Sequence, residues 1–250
     1  MASYEIIGSR DKAVAVVELR EENESEVVEQ IIKRHKNVKS VLKKVSERKG
    51  VERLREYEIL WGEENTEVIH KEYGYKLVLD PQKVYFSPRE GTERQRIASM
   101  VKDGETVMVM FAGVGPIAVA IAKKKPKTHV IAIEINPHAV EYMKKNVKIN
   151  KLEGKIDVVL GDVRDKCQKY FGCCDRVIMP LPHKSELFLD LALKCLKNGG
   201  WIHLYVIKSE NEIENFAKKI AEDINAKDYK IKKVLPYAPR IYKYCIDIML

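Results

Sequence analysis

Apolar positions follow two different rhythms along this chain. After residue 100 they come as short unbroken runs, the first being Val107 to Phe111 in T-V-M-V-M-F. Such runs mark strands buried on both faces of a parallel sheet. They predict strands over 106–111, 129–135, 156–160, 176–179 and 201–206. Amphipathic or apolar stretches over 117–122, 137–150, 186–196 and 212–224 alternate with them as helices. Two more strands, 229–235 and 242–249, close the chain. Only P-Y-A-P-R joins them, too short for a crossover, so the pair must be antiparallel. Strands alternating with helices predict an open, mostly parallel α/β sheet covered on both faces.

Residues 1–100 read as a small α+β module, separate from the 101–250 domain. Val27, Val28, Ile31 and Ile32 have helical spacing over 25–35, with Ser25 as the expected N-cap. Short strands are predicted over 13–19, 38–45, 57–61, 67–70, 76–79 and 83–86, punctuated by Gly50, Gly62, Gly74 and Pro81.

Charge changes the picture next. Lys and Arg number 45 against 37 Asp and Glu, a net +8 in 250 residues. That excess fits a polyanionic partner, and equally the ionic surface of a thermophile. No apolar run approaches membrane-spanning length and no leader follows Met1, which points to a cytoplasmic protein without membrane contact. Five cysteines form no C-x-x-C pair and the six histidines no H-x-x-x-H. The thiols are therefore expected to pack as small apolar residues, and no metal site is indicated.

The candidate chemistry begins where the first parallel strand ends. A-G-V-G-P (112–116) turns the chain into a helix. Gly113 and Gly115 permit backbone torsions closed to other residues and leave no Cβ between main chain and ligand. A strand, a Gly-x-Gly turn and a helix N-terminus form a nucleotide-sized site. Glu134 ends the second strand 19 residues beyond Gly115, where a carboxylate can accept hydrogen bonds from ribose hydroxyls. Asp162, in L-G-D-V-R-D after the third strand, is placed either to bond an adenine amino group or to cap the next helix.

The terminal antiparallel pair resembles the plan of the class I S-adenosylmethionine-dependent methyltransferases, with a seven-stranded Rossmann-like sheet. The local sequences V-Y-F-S-P-R-E-G-T-E-R (84–94), M-F-A-G-V-G-P (110–116) and A-I-E-I-N-P-H-A (132–139) narrow the resemblance. So do K-K-N-V-K-I-N-K-L (144–152), G-D-V-R (161–164), R-V-I-M-P-L-P (176–182), G-G-W-I-H (199–203) and Y-A-P-R (237–240). Together they resemble the archaeal and eukaryotic tRNA guanine-37 N1-methyltransferases from about residue 50 onward. The related wybutosine-pathway aminocarboxypropyl transferases share the fold but typically carry G-I-G-Y where this chain has G-V-G-P.

The resemblance implies S-adenosylmethionine as cofactor, tRNA as partner through its anticodon arm, and a monomer. It implicates Arg53 and Glu93 in catalysis, from G-V-E-R (50–53) and G-T-E-R (91–94). Guanine N1 is a poor nucleophile until deprotonated. A carboxylate beside N1 can act as base, and a guanidinium beside O6 can hold the charge that moves there. To Gly113, Gly115, Glu134 and Asp162 the resemblance adds Phe86, Arg94, Phe111, Ala112, Ile135, Asn136, Val163 and Pro180 as cofactor-binding. Leu181, Pro182, Tyr237 and Arg240 are the implied substrate contacts. Lys123–Lys125, Lys127, Lys144, Lys145, Lys148, Lys232 and Lys233 offer phosphate partners. About 50 residues precede the resemblance, which predicts a compact enzyme without the extra tRNA-gripping domain of longer relatives.

Two departures stand out. Val109 occupies a strand position where the family usually has an acidic residue that helps hold the cofactor's amino-acid end. Pro180 stands where the family's N-L-P has an asparagine that contacts the target base. Rival readings are therefore aminocarboxypropyl transfer and a catalytically weak RNA-binding relative.

Overall fold

The computed structural model describes residues 3–19, 23–46 and 55–250. Strands β1 (Ser3–Gly8), β2 (Ala13–Glu18), β3 (Val38–Lys44) and β4 (Tyr57–Gly62) form a four-stranded sheet in that order. β2 and β3 are parallel and joined through helix α1 (Glu24–Arg34), a right-sized crossover. α1 begins one residue earlier than its spacing suggested. The cap is Asn23, whose side chain accepts from the Ser25 amide at 3.1 Å, so Ser25 lies inside the helix.

A hairpin of β5 (Val68–Glu72) and β6 (Tyr75–Leu79) follows. The strand expected over 83–86 is absent. The amides of Lys83 and Val84 both close onto the Asp80 carbonyl, folding the chain into a turn. Val84 and Phe86 are apolar because they are buried in this turn segment rather than because they alternate along a strand. Helix α2 (Gly91–Met100) then leads into the second sheet.

That sheet contains β7 (Thr106–Met110), β8 (His129–Glu134), β9 (Ile156–Leu160), β10 (Cys174–Met179), β11 (Leu196–Ser209), β12 (Asp228–Ala238) and β13 (Ile241–Met249). Their order is β12-β13-β11-β10-β7-β8-β9. β9, β8, β7, β10 and β11 run parallel, and β13 is antiparallel to both β11 and β12. Helices α3 (Pro116–Lys124), α4 (Pro137–Ile149), α5 (Val163–Lys166), α6 (Leu189–Cys195) and α7 (Ile213–Asp223) make the connections. The helix expected over 186–196 begins as a single 3₁₀ turn at Ser185–Phe188, after Lys184 takes a left-handed φ of 60°.

One face of the sheet (Val107, Val109, Ile178, Tyr205, Cys245) shares a continuous apolar cluster with Val14, Val16 and Leu42 of the small sheet. The other face (Met108, Met110, Val177, Met179, Leu204) packs under α6 and α7. β7 and β10 diverge at their carboxyl ends into helices, and between such ends an α/β sheet opens a crevice.

Candidate active site

A cleft of about 180 Å³ lies at that edge. Three stretches reach it from the sheet: Phe111–Gly113 after β7, Glu134–Asn136 after β8, and Gly161–Arg164 after β9. Pro180, Leu181 and Phe188 come from beyond β10, and Tyr85, Phe86, Ser87, Glu90 and Arg94 from the segment that leads into α2.

The glycine turn takes the positive φ its sequence suggested, but only Gly113 faces the cleft; Gly115 serves packing instead. Gly113 has φ 57°, and a Cβ there would meet nothing within 4 Å, so its bare Cα faces open space. Gly115 has φ 80°, but a Cβ there would lie 2.7 Å from Met143 Cγ. Its missing side chain lets α4 approach the turn, and Gly115 does not line the cleft. Phe111 also takes a positive φ of 58°, ending β7 and setting its ring edge-on to Phe188 at 4.9 Å.

Glu134 is 8% exposed, and its carboxylate accepts from the amides of Gly113 at 2.7 Å, Ile135 at 2.9 Å and Asn136 at 2.8 Å. It ties the second strand end to the glycine turn while presenting an acceptor-only group to the cleft. Asn136 caps α4 by accepting from the amides of His138 and Ala139. Asp162 caps α5, accepting from the Arg164 amide at 2.8 Å, and pairs with the Arg164 guanidinium. The capping alternative is thus realised while Asp162 also lines the cleft. The bond and charge of Arg164 hold its carboxyl below the ordinary aspartate range.

Arg94 is 3% exposed and held rigidly. Its Nε and Nη2 donate to the two oxygens of Glu72 at 2.7 and 2.8 Å, its Nη1 to the Ser87 carbonyl, and it stacks over Phe86. Glu90, one turn earlier, accepts at Oε1 from Lys243 Nζ at 2.8 Å and from the Tyr85 hydroxyl at 3.1 Å. Burial raises the Glu90 carboxyl, but the Lys243 and Arg94 charges and these bonds outweigh it and hold it ionised.

Glu93 points into a different environment. It is 8% exposed and outside the cleft lining. Arg96 Nε donates to Oε2 at 2.7 Å and Arg96 Nη2 to Oε1 at 2.8 Å, while the Tyr205 hydroxyl donates to Oε1 at 2.6 Å. Arg96 also bridges to Asp247, whose Oδ1 meets His203 Nδ1 at 2.5 Å. His203 Nε2 faces Arg176 Nη1 at 2.7 Å. A guanidinium can only donate, so the imidazole is neutral with its proton on Nδ1. Burial also pushes the His203 pKa down. Cys245 completes a His–Cys–Asp group within 4.8 Å, but two guanidinium groups already satisfy it, and it is part of this charge network.

Other expected residues lie apart. Pro182 does not line the cleft; its carbonyl accepts from the Ile207 amide at 3.2 Å and anchors the segment to β11. Tyr237 is 60% exposed and edge-on to His183 at 5.9 Å, and Arg240 lies 3.9 Å from Glu210. Tyr237 lies at the end of β12 and Arg240 in the turn before β13, both outside the cleft lining. Arg53 falls outside the described residues. Lys145 is paired with Glu67 and Lys233 with Glu210, so these two lysines have protein partners. Four of the cysteines are buried as expected, whereas Cys173 is exposed. Sequence reasoning missed Tyr85, Glu90 and Phe188 as cleft residues; the first two lie inside the 84–94 motif, which was the available signal.

Comparison with known proteins identifies the fold's family. Residues 68–232 match the TRM5/TYW2 methyltransferase domain, and residues 1–66 match the TYW2 N-terminal domain. The tRNA (guanine(37)-N(1))-methyltransferase Trm5b of Pyrococcus abyssi is 41% identical over 98% of this chain and 74% of its own length. A solved complex of aTrm5 and tRNALeu superposes with a TM-score of 0.86 at 39% identity, over 99% of this chain and 72% of that one. TYW2 of M. jannaschii in complex with AdoMet gives a TM-score of 0.74 at 32% identity, covering 99% and 98%. Fold, cleft and similarity over nearly the whole length place this chain in the TRM5/TYW2 methyltransferase family.

Proposed function

We propose that this protein transfers the methyl group of S-adenosylmethionine to N1 of guanosine 37 in the anticodon loop of tRNA. The observation that carries the reading is a single cleft in which the Gly113 turn, Glu134 and Asp162 share walls with the Tyr85–Arg94 segment. The residues fit the cofactor. Gly113 leaves its backbone open to a ligand, Glu134 presents an acceptor to a ribose, and Asp162 offers a carboxylate in the same cleft that can accept from an adenine amino group. Phe111, Ile135 and Val163 supply apolar walls, with Ala112, Asn136 and Phe86 shaping them. When bound, the cofactor supplies a methyl group already activated by its sulfonium.

The chain's own task is to align and deprotonate the purine. A base within an anticodon loop must be splayed out to reach a pocket. Leu181 and Pro180 wall the cleft where it would enter, and Tyr237 and Arg240 stand outside to meet the flanking nucleotides. We assign Glu93 as the base. In support, it stands in the family's G-T-E-R motif and lies one turn of α2 from the cleft-lining Glu90; to act it must exchange the Arg96 and Tyr205 bonds that now hold both its oxygens outside the cleft lining. Arg53 is assigned to the developing charge at O6. Glu93→Gln is expected to lower the single-turnover methylation rate by about 10²- to 10⁴-fold while cofactor affinity stays near wild type. An unchanged rate removes Glu93 as base.

The match of residues 1–66 to a TYW2 N-terminal domain favours a second reading, aminocarboxypropyl transfer. Mass spectrometry of nucleosides from treated tRNA separates the two by the group added. Transcripts with G, A, C or U at position 37 test the base, and labelling independent of that base rejects the first reading.

A further inference from the structure

Three carboxylates line the cleft, and two are already committed. Glu134 has both oxygens on backbone amides, and Asp162 caps α5 and pairs with Arg164. Glu90 differs. Its two bonds, from Lys243 and Tyr85, both fall on Oε1, and among the described residues no hydrogen bond reaches Oε2. The side chain is 13% exposed.

We infer that Glu90 binds the α-ammonium of the cofactor's methionyl tail, an inference that rests on the S-adenosylmethionine reading above. That tail is a zwitterion, and its ammonium needs an anionic acceptor when taken out of water. The nearest strand offers none. Val109, at the rung before the glycine turn, is fully buried and packs in the core. Pro180 and Leu181 provide no acidic side chain either. Glu90 is ionised, reaches the same cleft, and is flanked by the cations Lys243 and Arg94. Arg94 is already matched by both oxygens of Glu72, so Lys243 is the cation that balances Glu90, through Oε1. Lys243 is 6% exposed and holds Oε1 in place, so the free oxygen is oriented before the ligand arrives.

Calorimetric titration of the full chain tests this without turnover. The ligands are S-adenosylhomocysteine, its analogue with hydrogen in place of the ammonium, and methylthioadenosine, which lacks the whole tail. Wild type should bind the desamino analogue about 10- to 100-fold more weakly than S-adenosylhomocysteine, the span of a charge-assisted hydrogen bond. Glu90→Gln should weaken S-adenosylhomocysteine by a similar factor and leave the other two unchanged. Because that change leaves Lys243 buried without its partner, Glu90→Gln/Lys243→Met serves as the second variant and should show the same selective loss. Equal weakening of all three ligands overturns the inference. So does a wild type that does not distinguish the desamino analogue, whatever the variants do. A wild type that binds none of the three overturns the cofactor reading itself.

Discussion

Gly113 and Gly115 are separated by one residue, yet substitutions there should be felt in different places. Alanine at 115 forces a Cβ within 2.7 Å of the buried Met143 and strains a φ of 80°. It should cost about 1–3 kcal/mol, read as a lower Tm. Alanine at 113 meets open space at φ 57°, so stability should fall less, by about 1–2 kcal/mol. Its methyl group then occupies the cleft, and nucleoside affinity should fall more than at 115. A larger affinity loss at 115 would show that the roles have been assigned the wrong way round.

At the scale of elements, ion pairs bind α2 to the strands around it. Arg94 joins α2 to β5 through Glu72, and Arg96 joins it to β13 through Asp247. Burial works to raise the Glu72 carboxyl, but the His70 ring 3.7 Å away, hydrogen bonds from Arg94 and Tyr75, and the Arg94 charge bring it down to about 2. Asp247 is likewise raised by burial and then lowered further by His203 and Arg96. Both folded pKa values lie below their ordinary values of 4.5 and 3.8. Their contribution is complete above those values and is lost as pH falls through the folded ones. Tm should therefore decline from about pH 4.5 toward pH 2, and Glu72→Gln should flatten that decline while lowering Tm at neutral pH. A variant as acid-sensitive as wild type would remove Glu72 from this account.

For the whole molecule, the +8 net charge and the hairpin that carries Tyr237 and Arg240 bear on RNA. Among the described residues no helix is long and apolar enough to cross a membrane. Arg240→Ala should weaken tRNA binding and reduce the slope of log affinity against log salt by about one, the signature of one lost phosphate contact. Tyr237→Ala should weaken binding by about 1–3 kcal/mol at every salt concentration, leaving the slope unchanged, as lost stacking does. Neither should alter cofactor affinity. A changed slope for Tyr237→Ala, or none for Arg240→Ala, would show that the hairpin meets RNA differently.

Local rules sufficed wherever a residue's neighbours in sequence are also its neighbours in space. The buried runs at 106–110 and 129–134, the αL-tolerant turn and the caps of α4 and α5 all follow from periods and torsions, so the sheet and its glycine turn were readable; β9 (156–160) forms as expected but at the sheet edge, with only Ile156 buried. Phe86, Arg94 and Glu134 were legible because motifs preserve local order. What the chain in one dimension could not decide is which carboxylate meets the cleft. Glu90 and Glu93 stand three apart on nearly the same stretch. Only the arrival of Lys243, Tyr205 and Asp247 from strands more than a hundred residues later turns one toward the cleft and locks the other into a buried charge network. The segment at 83–86 shows the same limit: Val84, Tyr85 and Phe86 suit a strand, but the amides of Lys83 and Val84 close onto the Asp80 carbonyl instead. Pairing and charge partnership are properties of distant segments brought together, and tertiary packing alone assigns them.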